Sequence, residues 1–516
     1  MGISWTTTTA AHGPIGFAVS TRASPVLVVS AQRVSVGGIE VDTRHFINGV
    51  RVSSPTTFED RSPLDWSLKL ADVSRGGAGE ADAAISAAIA AFPAWAALSS
   101  DERQIYLYRL ADLIDANVER IATVECLDMG MLEESLRLRV IGRGARNFRA
   151  YADLAANYHA RQWDSNTTHN TVLRMPAGPT VVITPWNAPF MLSTWKCAPA
   201  LAAGNTVVLK PAEWSPLSCS LLMDLVSEAD FPPGVFNVVQ GLGEEVGAAL
   251  VSDPRVRRIS FTGSPETGRR IGVAAAKNLV PFTAELGGKG PFIVFADADL
   301  DVAVEKAALM YDDAGQVCLA GTRLIVEDSV RDEFLARFTV ATERHVLGDS
   351  RDPKTTISPL IHPDHLARVE GFVERAIGAG DHVVFGGTRL RDDGLWFTPT
   401  LIEPHSNDAD IVQHEVFGPV LTLQTFSSEQ EAVDLANSTP YGLSALIFTS
   451  VRERADRVGE AIRAGTIWVN SFLIRDLTAP FGGTGVSGIG REGGDYALDF
   501  YSDLKTYQVK EGTTNG

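Results

Sequence analysis

Short apolar runs alternate with longer amphipathic stretches through the middle of this 516-residue chain. The runs at 181–184, 206–209 and 256–261 are rich in β-branched residues, whereas 190–203 and 217–228 are long enough for helices. Unbroken apolar runs of this length are typical of strands that are buried on both faces of a sheet. The alternation therefore predicts parallel βαβ units, which bind ligands at the carboxyl ends of their strands.

A second alternation of the same kind has its strand-length runs at 292–295, 324–326, 383–385, 445–448 and 466–469. It predicts a second domain, so the expected fold class is α/β with two doubly wound, Rossmann-like parallel sheets. No internal repeat or low-complexity linker separates the two halves. The boundary is predicted to be a packed crossing of the chain near 285–291, and active sites favour such crevices.

The two ends of the chain have simpler patterns. The capping box Ser99-Ser100-Asp101-Glu102 opens a helical stretch, and Gly130 is placed to end it. Alternating residues at 168–175 and the run 504–509 predict two strands. Residues 1–39 contain no Asp or Glu and are rich in Ser, Thr, Ala and Val, so residues 1–40 are expected to be a poorly ordered extension, with a targeting segment as the alternative.

Composition narrows the class of protein. With 45% hydrophobic and 21% charged residues the chain has the make-up of an ordinary globular protein. A net charge of −18 argues against a nucleic-acid partner, and no apolar run reaches the ~18 residues that span a membrane. The four cysteines, Cys126, Cys197, Cys219 and Cys318, fit neither a disulfide framework nor a zinc site, which indicates no metal and a reducing, cytoplasmic location.

Two residues near the middle of the chain are candidates for chemistry. Glu285, in Ala284-Glu285-Leu286-Gly287-Gly288-Lys289, and Cys318, in Gly315-Gln316-Val317-Cys318, each lie among glycines that let a substrate approach the backbone. A base and a thiol are the groups that covalent catalysis at a carbonyl requires. The alternatives are a buried structural thiol and a carboxylate satisfied within a turn.

Polar residues follow the first two strands of the predicted sheet. Asn187 comes after the first strand, where its amide can either donate to an oxyanion or cap the next helix. Lys210 and Glu213 come after the second strand, at the usual position for a nucleotide. A glutamate there accepts from ribose hydroxyls and repels a 2′-phosphate, which favours NAD over NADP. Taken alone, such a pair is more often simply solvated.

Two glycine-rich turns are weak signals for phosphate binding. Gly241-Leu242-Gly243 with Gly247 has one residue too many for the dinucleotide fingerprint, and Gly263-Ser264 to Gly268 lacks the lysine of a P-loop. A strand that leads through Gly263 and Ser264 into a helix can nevertheless place a pyrophosphate at the helix N-terminus.

Taken together, these motifs resemble the aldehyde dehydrogenase superfamily over about residues 45–510. In the order of that family, the matching motifs begin at Phe46, Pro185, Lys210, Phe261, Glu285, Gly315, Glu415, Pro480 and Ser487. Within the superfamily the chain is most similar to enzymes of muconic-type semialdehydes, the 5-carboxymethyl-2-hydroxymuconate and 2-hydroxymuconic semialdehyde dehydrogenases. The resemblance implies oxidation of a small aldehyde to its acid with NAD; NADP is the less favoured cofactor.

The resemblance also implies roles for residues of this chain. Cys318 would attack the aldehyde, Asn187 would hold the oxyanion, Glu285 would activate water, and Glu492 would be either a proton relay or an ordinary surface glutamate. Relatives that transfer the acyl group to coenzyme A generally lack the glutamate at the position of Glu285, so release of a free acid is expected. The implied cofactor residues are Thr184, Pro185, Trp186, Lys210, Glu213, Gly243, Gly247, Gly263, Ser264, Glu285, Leu286, Glu415 and Phe417.

Substrate choice is assigned by resemblance to Arg143 and Arg475, together with Asn187. Two guanidinium groups favour an anionic semialdehyde, whose carboxylate they can bind bidentately. A common lysine of the family is Gly485 here, and Asp476 is typical of the hydroxymuconic group. The alternatives are a broad-specificity aldehyde or amino-aldehyde dehydrogenase and a non-catalytic member of the fold.

The family architecture supplies the expected domain boundaries. They are an NAD-binding domain at 41–157 and 177–286, a catalytic domain at 287–486, and a small β oligomerisation arm at 158–176 and 497–510. The strands of the arm are expected to pair between the subunits of a homodimer or homotetramer.

Overall fold

Two mainly parallel sheets organise the chain in the computed structural model, which describes residues 32–391 and 394–510. The N-terminal elements are, in chain order, β1 (Arg33–Val36), β2 (Ile39–Asp42), β3 (His45–Ile47), β4 (Val50–Val52), β5 (Thr57–Arg61), β6 (Lys69–Ser74), α1 (Ala78–Ala97), α2 (Ser100–Ala116), α3 (Val118–Met129), α4 (Glu133–Ser135) and α5 (Ile141–Ala156). A π-helical turn, Leu136–Val140, joins α4 to α5.

The elements of the first alternation and the strands before it are β7 (Arg161–Ser165), β8 (Thr168–Pro176), β9 (Thr180–Ile183), α6 (Pro189–Ala202), β10 (Val207–Lys210), α7 (Leu217–Glu228), β11 (Phe236–Val238), α8 (Ala248–Ser252), β12 (Arg258–Thr262), α9 (Pro265–Lys277) and β13 (Phe282–Glu285). The predicted strands and helices of this region are therefore present, with ends that differ by a few residues. The strands are buried, which explains why they read as unbroken apolar runs.

The second half contains β14 (Pro291–Val294), α10 (Leu300–Ala308), β15 (Arg323–Glu327), α11 (Arg331–Thr342), α12 (Pro363–Ala379), β16 (His382–Phe385), β17 (Thr400–Glu403), α13 (Asp410–Gln413), β18 (Val420–Phe426), α14 (Glu429–Ala436), β19 (Ser444–Phe448), α15 (Arg452–Ala461), β20 (Thr466–Val469), β21 (Gly488–Ile489), α16 (Gly494–Phe500) and β22 (Ser502–Lys510). Short 3₁₀ turns occupy Leu309–Gly315, Asp328–Val330 and Gly485–Ser487.

The first large sheet has the strand order β21-β13-β12-β9-β10-β11-β3-β4. The strands from β13 to β11 in that order run parallel, and β9 lies beside β12. The chain proceeds from β9 toward β10 on one side and from β12 toward β13 on the other. This topological switch leaves a crevice beyond the carboxyl ends of β9 and β12, where doubly wound sheets bind ligands.

The second large sheet has the order β16-β17-β18-β15-β14-β19-β20 and is parallel except at its edge strand β16. The chain passes from the first sheet to the second between Glu285 and Pro291. Apolar helix faces cover the sheets, so each large sheet has a buried cluster of side chains on either face. The predicted α/β fold class with two doubly wound sheets is confirmed.

The prediction of a poorly ordered extension over 1–40 is wrong for its last residues. Strands β1 and β2 form an antiparallel hairpin with Val36 and Val41 in the core. Its turn is Gly37-Gly38, both with positive φ (58° and 82°), which is the backbone that a tight hairpin turn requires. Alternating residues around a Gly-Gly pair were the available signal; residues 1–31 lie outside the described part of the chain.

The helix predicted from Ser99 to Gly130 is two helices. Ser99 and Glu102 form the predicted capping box of α2, and Gly130 ends α3 in the left-handed conformation (φ 86°). The break is at Asn117, whose side-chain amide donates to the carbonyl of Leu113 at 2.8 Å and so caps the end of α2. An Asn with this local bond competes with the helical backbone.

The predicted arm strands pair with each other within this chain. Strand β22 runs antiparallel to β8 over the whole of its length, and β7 completes a three-stranded sheet. Residues 497–500, which were expected to belong to the arm strands, end the helix α16 instead. Among the described residues no single helix is long and apolar enough to cross a membrane; α1 and α2 pass that test only as a pair bent by 119°.

Candidate active site

Cys318 lies in the loop that joins the 3₁₀ turn Leu309–Gly315 to β15, and it is partly exposed. The turn leaves helical geometry through three successive positive φ angles, at Asp313 (51°), Ala314 (54°) and Gly315 (69°). Such a run is uncommon for residues with a Cβ, and strained backbone of this kind clusters at functional sites. A Cβ at Gly315 would lie 2.2 Å from the carbonyl oxygen of Gly418, so this close approach requires a glycine.

Gln316 fixes the loop that carries the thiol. Its side chain is buried, donates to the carbonyl of Asp313 at 3.1 Å, and accepts from the backbone N–H of Ile361 at 3.0 Å. The Asn187 amide in turn donates to the carbonyl of Gln316 at 2.9 Å. The helix-capping alternative for Asn187 is wrong, because the N-cap of α6 is Ala188 and no side chain caps that helix. Asn187 therefore lies beside the Cys318 loop, as expected of an oxyanion donor.

The thiol of Cys318 is in an environment that opposes the thiolate. Burial raises its pKa to about 12, the negative charges of Glu415 and Glu285 add to the rise, and Arg475 opposes it. At neutral pH the resting thiol is therefore protonated. A nucleophile of this kind needs an adjacent base or a change of environment to become reactive.

Glu285 is the last residue of β13, where it pairs with Gly488 of β21. The side chain is buried, and neither carboxyl oxygen has a hydrogen-bond partner in the described part of the chain. Burial, and next the charge of Glu492, raise the pKa of Glu285 well above its usual value. A carboxylate with a raised pKa is a stronger base, and an unpartnered one is free to bind a water molecule.

Glu492 is buried in a polar network rather than on the surface. Its carboxylate accepts from Trp195 Nε1 at 2.6 Å, forms a short ion pair with Lys196 Nζ, and accepts from Ser260 Oγ at 3.3 Å. The surface-glutamate alternative is therefore wrong. Lys196 was missed as a functional residue because nothing near it in the sequence is acidic; its partner lies almost three hundred positions later.

The predicted cofactor residues at the ends of β9 and β10 have mixed surroundings. Thr184 is buried and bonds Ser193 at 2.9 Å, and Pro185 is half-buried. Lys210 is buried and donates to Glu213 Oε2 at 2.7 Å, so its charge already has a partner. Lys210 and Glu213 were expected to reach the nucleotide separately. In the structure the two side chains form an ion pair with each other, and the Glu213 side chain keeps 34% of its surface exposed.

The predicted cofactor residues near β12 and β13 meet at the switch-point crevice. Ser264 is exposed and caps α9 by accepting from the N–H of Thr267 at 3.2 Å, and the N–H of Gly263 donates to the carbonyl of Glu285 at 3.1 Å. The side chain of Leu286 packs beneath Gly268, where a Cβ would come within 2.9 Å. Of the other glycine turn, Gly243 is exposed and Gly247 is buried within a π-helical turn.

Two predicted cofactor residues, Glu415 and Phe417, lie in the loop between α13 and β18 of the second half. Glu415 accepts from the N–H of Gly288 at 2.7 Å, and burial raises its pKa to about 7. The ring of Phe417 lies edge-on to Trp186 with centroids 5.3 Å apart. The contact brings together residues of the two alternations. An exposed helix N-terminus at a switch point and a partly exposed acid after the second strand fit a dinucleotide.

Arg143 and Arg475 converge on Trp195. Their guanidinium carbons lie 5.7 and 5.6 Å from its ring centroid, and Arg475 also stacks at 3.9 Å on Phe481. Neither arginine has a hydrogen bond or ion pair within residues 32–391 and 394–510, and Arg143 Nε is a buried donor without a partner. Burial lowers the pKa of Arg143 to about 10, and the charge of Arg475 adds to the fall.

The arginine pair is close to the reacting groups. Burial lowers the pKa of Arg475, and the nearby groups Cys318, Glu285 and Glu492 oppose the fall. Two largely buried guanidinium groups without a carboxylate partner in the described chain are uncommon, because a buried charge is costly when it is unpaired. Within the described ranges no group of three or more His, Cys, Asp and Glu residues could hold a metal ion.

Comparison with known proteins agrees with this geometry. Residues 50–507 match the profile described as "Aldehyde dehydrogenase family". The chain is 43% identical over 484 residues to the 2-hydroxymuconic semialdehyde dehydrogenase of Pseudomonas sp. (strain CF600), covering 91% of this chain and 99% of the relative. It is also 43% identical to the betaine aldehyde dehydrogenase of Bacillus subtilis (strain 168), covering 85% and 91%.

Solved structures are similar throughout. The betaine aldehyde dehydrogenase of Staphylococcus aureus in complex with NAD+ superposes with a TM-score of 0.89 at 36% identity, covering 92% of this chain and 96% of that one. HpcC from Thermus thermophilus superposes with a TM-score of 0.89 at 42% identity, covering 93% and 97%.

Proposed function

The chain belongs to the aldehyde dehydrogenase family, and from this premise we propose that it oxidises an anionic, muconic-type semialdehyde to the dicarboxylic acid with NAD as the oxidant. The observation that carries the proposal is the convergence of Arg143 and Arg475 beside Cys318 without a carboxylate partner in the described chain. A substrate carboxylate would satisfy both guanidinium groups while its aldehyde end reaches the thiol.

The same arginines argue against a cationic substrate. Betaine aldehyde dehydrogenases are among the relatives, and the name denotes an aldehyde with a quaternary ammonium group. Such a group about 6 Å from each guanidinium would meet a repulsion of roughly 2–3 kcal/mol per arginine at an effective dielectric constant of about 20. A general amino-aldehyde role is therefore the weaker alternative.

The first chemical step belongs to Cys318. As its proton leaves, the sulfur bonds the aldehyde carbon, and the carbonyl oxygen becomes the oxyanion of a thiohemiacetal. The Asn187 amide and the N–H of Cys318 are the donors that would stabilise this oxyanion, and losing one such donor typically costs about 10²- to 10³-fold in rate. Asn187 is already oriented toward the loop by its bond to Gln316.

The cofactor would occupy the switch-point crevice. Ser264 at the N-terminus of α9, Glu213 and Glu415 are the residues that would hold it, with Trp186 and Phe417 against its rings. When bound, NAD supplies the acceptor for the hydride that leaves the thiohemiacetal carbon. The acid Glu213, rather than an arginine, after the second strand supports NAD over NADP.

Glu285 completes the reaction. Its unpartnered carboxylate takes a proton from water, the water oxygen bonds the thioester carbon, and the bond from that carbon to Cys318 breaks to release the acid. Transfer to coenzyme A needs no water-activating base. The presence of Glu285 with its raised pKa therefore supports hydrolysis.

The proposal includes the assembly, the domains and the location. The arm of β7, β8 and β22 exposes Trp163, Leu504 and Tyr507, which supports pairing in a homodimer or homotetramer.

We assign NAD binding to the first large sheet and thiol chemistry to the second. All four cysteines are unpaired thiols, which supports a reducing, cytoplasmic location.

A substrate panel with NADH absorbance as the readout tests the proposal. Three aldehydes are compared: 6-oxohexanoate, which is anionic, hexanal, which is neutral and of equal length, and betaine aldehyde, which is cationic. We expect kcat/KM to fall in that order by about tenfold or more at each step. A higher kcat/KM for betaine aldehyde than for 6-oxohexanoate would refute the assignment.

A further inference from the structure

A row of hydroxyl groups leads away from the buried acid Glu492 along one face of the first sheet. Thr283 Oγ1 donates to Ser260 Oγ at 3.2 Å, and Ser260 Oγ donates to Glu492 Oε1 at 3.3 Å. Lys196 Nζ donates to Ser260 Oγ at 3.1 Å and pairs with Glu492. All four side chains are buried, so these contacts are shielded from competition by bulk water.

The row follows from the register of the sheet. Ser260 of β12 lies opposite Thr283 of β13, and Thr262 lies opposite Glu285. Because side chains alternate along a strand, Thr283 and Glu285 project from the same face of β13. The base that activates water and the outermost hydroxyl are thus two positions apart on one strand, with Glu492 near both.

Thr283 also borders an open cavity of about 320 Å³ on the protein surface. The other lining residues are Gly490, Arg491, Tyr496, Asp499 and Phe500. A Cβ at Gly490 would lie 2.8 Å from Thr283 Cγ2, so the absence of a side chain there leaves room above the threonine. Arg491 is held to the carbonyls of Gly483 and Gly490 at 2.9 and 2.7 Å, and Asp499 pairs with Arg174 at 2.7 Å.

The proposed reaction releases protons inside a buried site, and these protons must reach the solvent. Oxidation of an aldehyde with water and NAD+ yields the carboxylate, NADH and two protons. One proton leaves the thiol or the tetrahedral oxygen, and another leaves the water that Glu285 activates. Glu285 is buried, so a proton that it holds must pass to another group before the next cycle.

We propose that Glu492, Ser260 and Thr283 form a proton outlet that carries protons from Glu285 to the surface cavity beside Arg491. This inference rests on the proposed hydrolytic function and adds to it the positioning residues Ser260 and Thr283. Glu492 accepts the proton from Glu285 through a side-chain rotation or one water molecule. Each hydroxyl then accepts a proton on its oxygen and donates its own to the next group, so no charge stays on either.

Neighbouring groups do not offer an easier path. Lys196 Nζ is already paired with Glu492 and does not line the surface cavity, and Trp195 is a donor only, with no acceptor nitrogen. Tyr501 lies beside Ser260, but it does not line the surface cavity, whereas Thr283 does. Ser260 is therefore the neighbour of Glu492 that can both accept and donate.

An activated ester separates the two half-reactions without any cofactor. 4-Nitrophenyl acetate acylates Cys318 with release of 4-nitrophenolate, and water then hydrolyses the acetyl thioester to acetate. The initial burst reports acylation and the later steady rate reports hydrolysis. We compare the wild type with Thr283→Val, which keeps the shape and removes the hydroxyl, with Ser260→Ala, and with the conservative Thr283→Ser.

The expected result is selective loss of hydrolysis. Thr283→Val and Ser260→Ala should keep the burst rate and lower the steady rate about tenfold, because a proton-transfer aid is lost. Thr283→Ser should stay near the wild-type rate. In the two slow variants the steady rate should rise with the concentration of imidazole buffer, since a small diffusible base can enter the cavity.

Thr180→Val is the matched control. Thr180 is a fully buried threonine at the start of β9 in the same sheet, and its hydroxyl donates to the carbonyl of Gly178 at 3.2 Å, away from Glu492. Its burst and steady rates should both match the wild type. Wild-type steady rates should also fall in D₂O more strongly than burst rates, a measurement that needs no variant to fold.

Two outcomes would overturn the outlet alone. Hydrolysis at the wild-type rate in both Thr283→Val and Ser260→Ala is one, and equal slowing in Thr283→Ser and Thr283→Val is the other. Release of 4-nitrophenolate at the wild-type rate by Cys318→Ala would instead contradict acyl transfer to Cys318, and with it both the proposed function and the outlet.

Discussion

Replacing Arg475 with glutamine removes one guanidinium from the arginine pair and leaves an amide of similar polarity. Arg475 lies 5.6 Å from the Trp195 ring that it shares with Arg143, and it has no ion-pair partner in the described chain to leave stranded. The variant also loses the stacking of the Arg475 guanidinium on Phe481, whose ring centroid lies 3.9 Å from its central carbon. That loss affects the free and the substrate-bound enzyme alike. The effect on an anionic substrate therefore reports mainly the missing contact with its carboxylate.

The expected size follows from the kind of contact that is lost. A hydrogen bond to a charged group contributes about 1.5–3 kcal/mol, which corresponds to roughly 10- to 100-fold in kcat/KM. Arg143 remains as a second cation, and removal of its like-charged neighbour raises its lowered pKa. We therefore expect Arg475→Gln to lower the ratio of kcat/KM for 6-oxohexanoate over hexanal by about 10- to 100-fold.

Four further variants sharpen this measurement. Arg475→Lys keeps the charge without the planar fork, and its ratio should lie between those of wild type and Arg475→Gln. Arg143→Gln should resemble Arg475→Gln, and the double variant should lose less than the product of the two, because both residues bind one carboxylate. Arg452→Gln, which changes an exposed arginine of α15 that pairs with Asp456, is the control and should leave the ratio unchanged.

The ratio is measured from initial NADH absorbance with both aldehydes on the same enzyme preparation. A ratio for Arg475→Gln within about twofold of wild type would refute the carboxylate-binding role, even if both absolute rates fall. A fall confined to kcat for hexanal would point instead to a role of Arg475 in the chemical step.

Four other results are expected. Cys318→Ala should abolish dehydrogenase activity and the ester burst, and retained NADH formation would rule out the covalent route. Glu285→Gln should still give a single-turnover burst of NADH, but a slower one because Glu285 no longer takes the Cys318 proton, and the steady rate should fall about 10²- to 10⁴-fold. In the wild type the steady rate should be lost as pH falls through the raised pKa of Glu285, because only the deprotonated base acts. Glu415→Gln should lower the pKa of Cys318, since Glu415 is the charge that raises it most, and iodoacetamide alkylation near neutral pH should become about tenfold faster if that pKa falls by about one. Lys196→Met should lower the free energy of unfolding by about 3–5 kcal/mol in urea titrations by leaving Glu492 buried and unpaired, and adding Glu492→Gln should recover most of it.

Features that are local in sequence were predictable. The strands Val207–Lys210 and Phe236–Val238 are buried at every position, and their apolar residues are enough to predict them as buried strands. Ser99 and Glu102 form their capping box within one turn of helix. Cys318 and Glu285 were recognised from flanking glycines, which the close packing of Gly315 on Gly418 explains.

Features that depend on distant partners were not predictable. The sequence around Lys196 gives no sign that Glu492 will neutralise it, so the network behind the base could be identified only in the structure. The pairing of Lys210 with Glu213 at 2.7 Å is local, and their contact with a nucleotide stays a prediction. The hairpin turn Gly37-Gly38, by contrast, is a local signal, from which the hairpin could have been predicted.

The arginine pair links substrate choice to the reactivity of the thiol. Arg475 is the group that favours the Cys318 thiolate, whereas Glu415 and Glu285 oppose it. A bound substrate carboxylate would neutralise part of the charge on Arg475, so an anionic aldehyde makes the free thiolate harder to form. The proton of Cys318 must then leave as the sulfur bonds the carbonyl carbon, rather than beforehand, and a nearby base has to take it. Glu285, buried and unpartnered in the described chain, with a raised pKa, is suited to accept that proton first and to activate water afterwards.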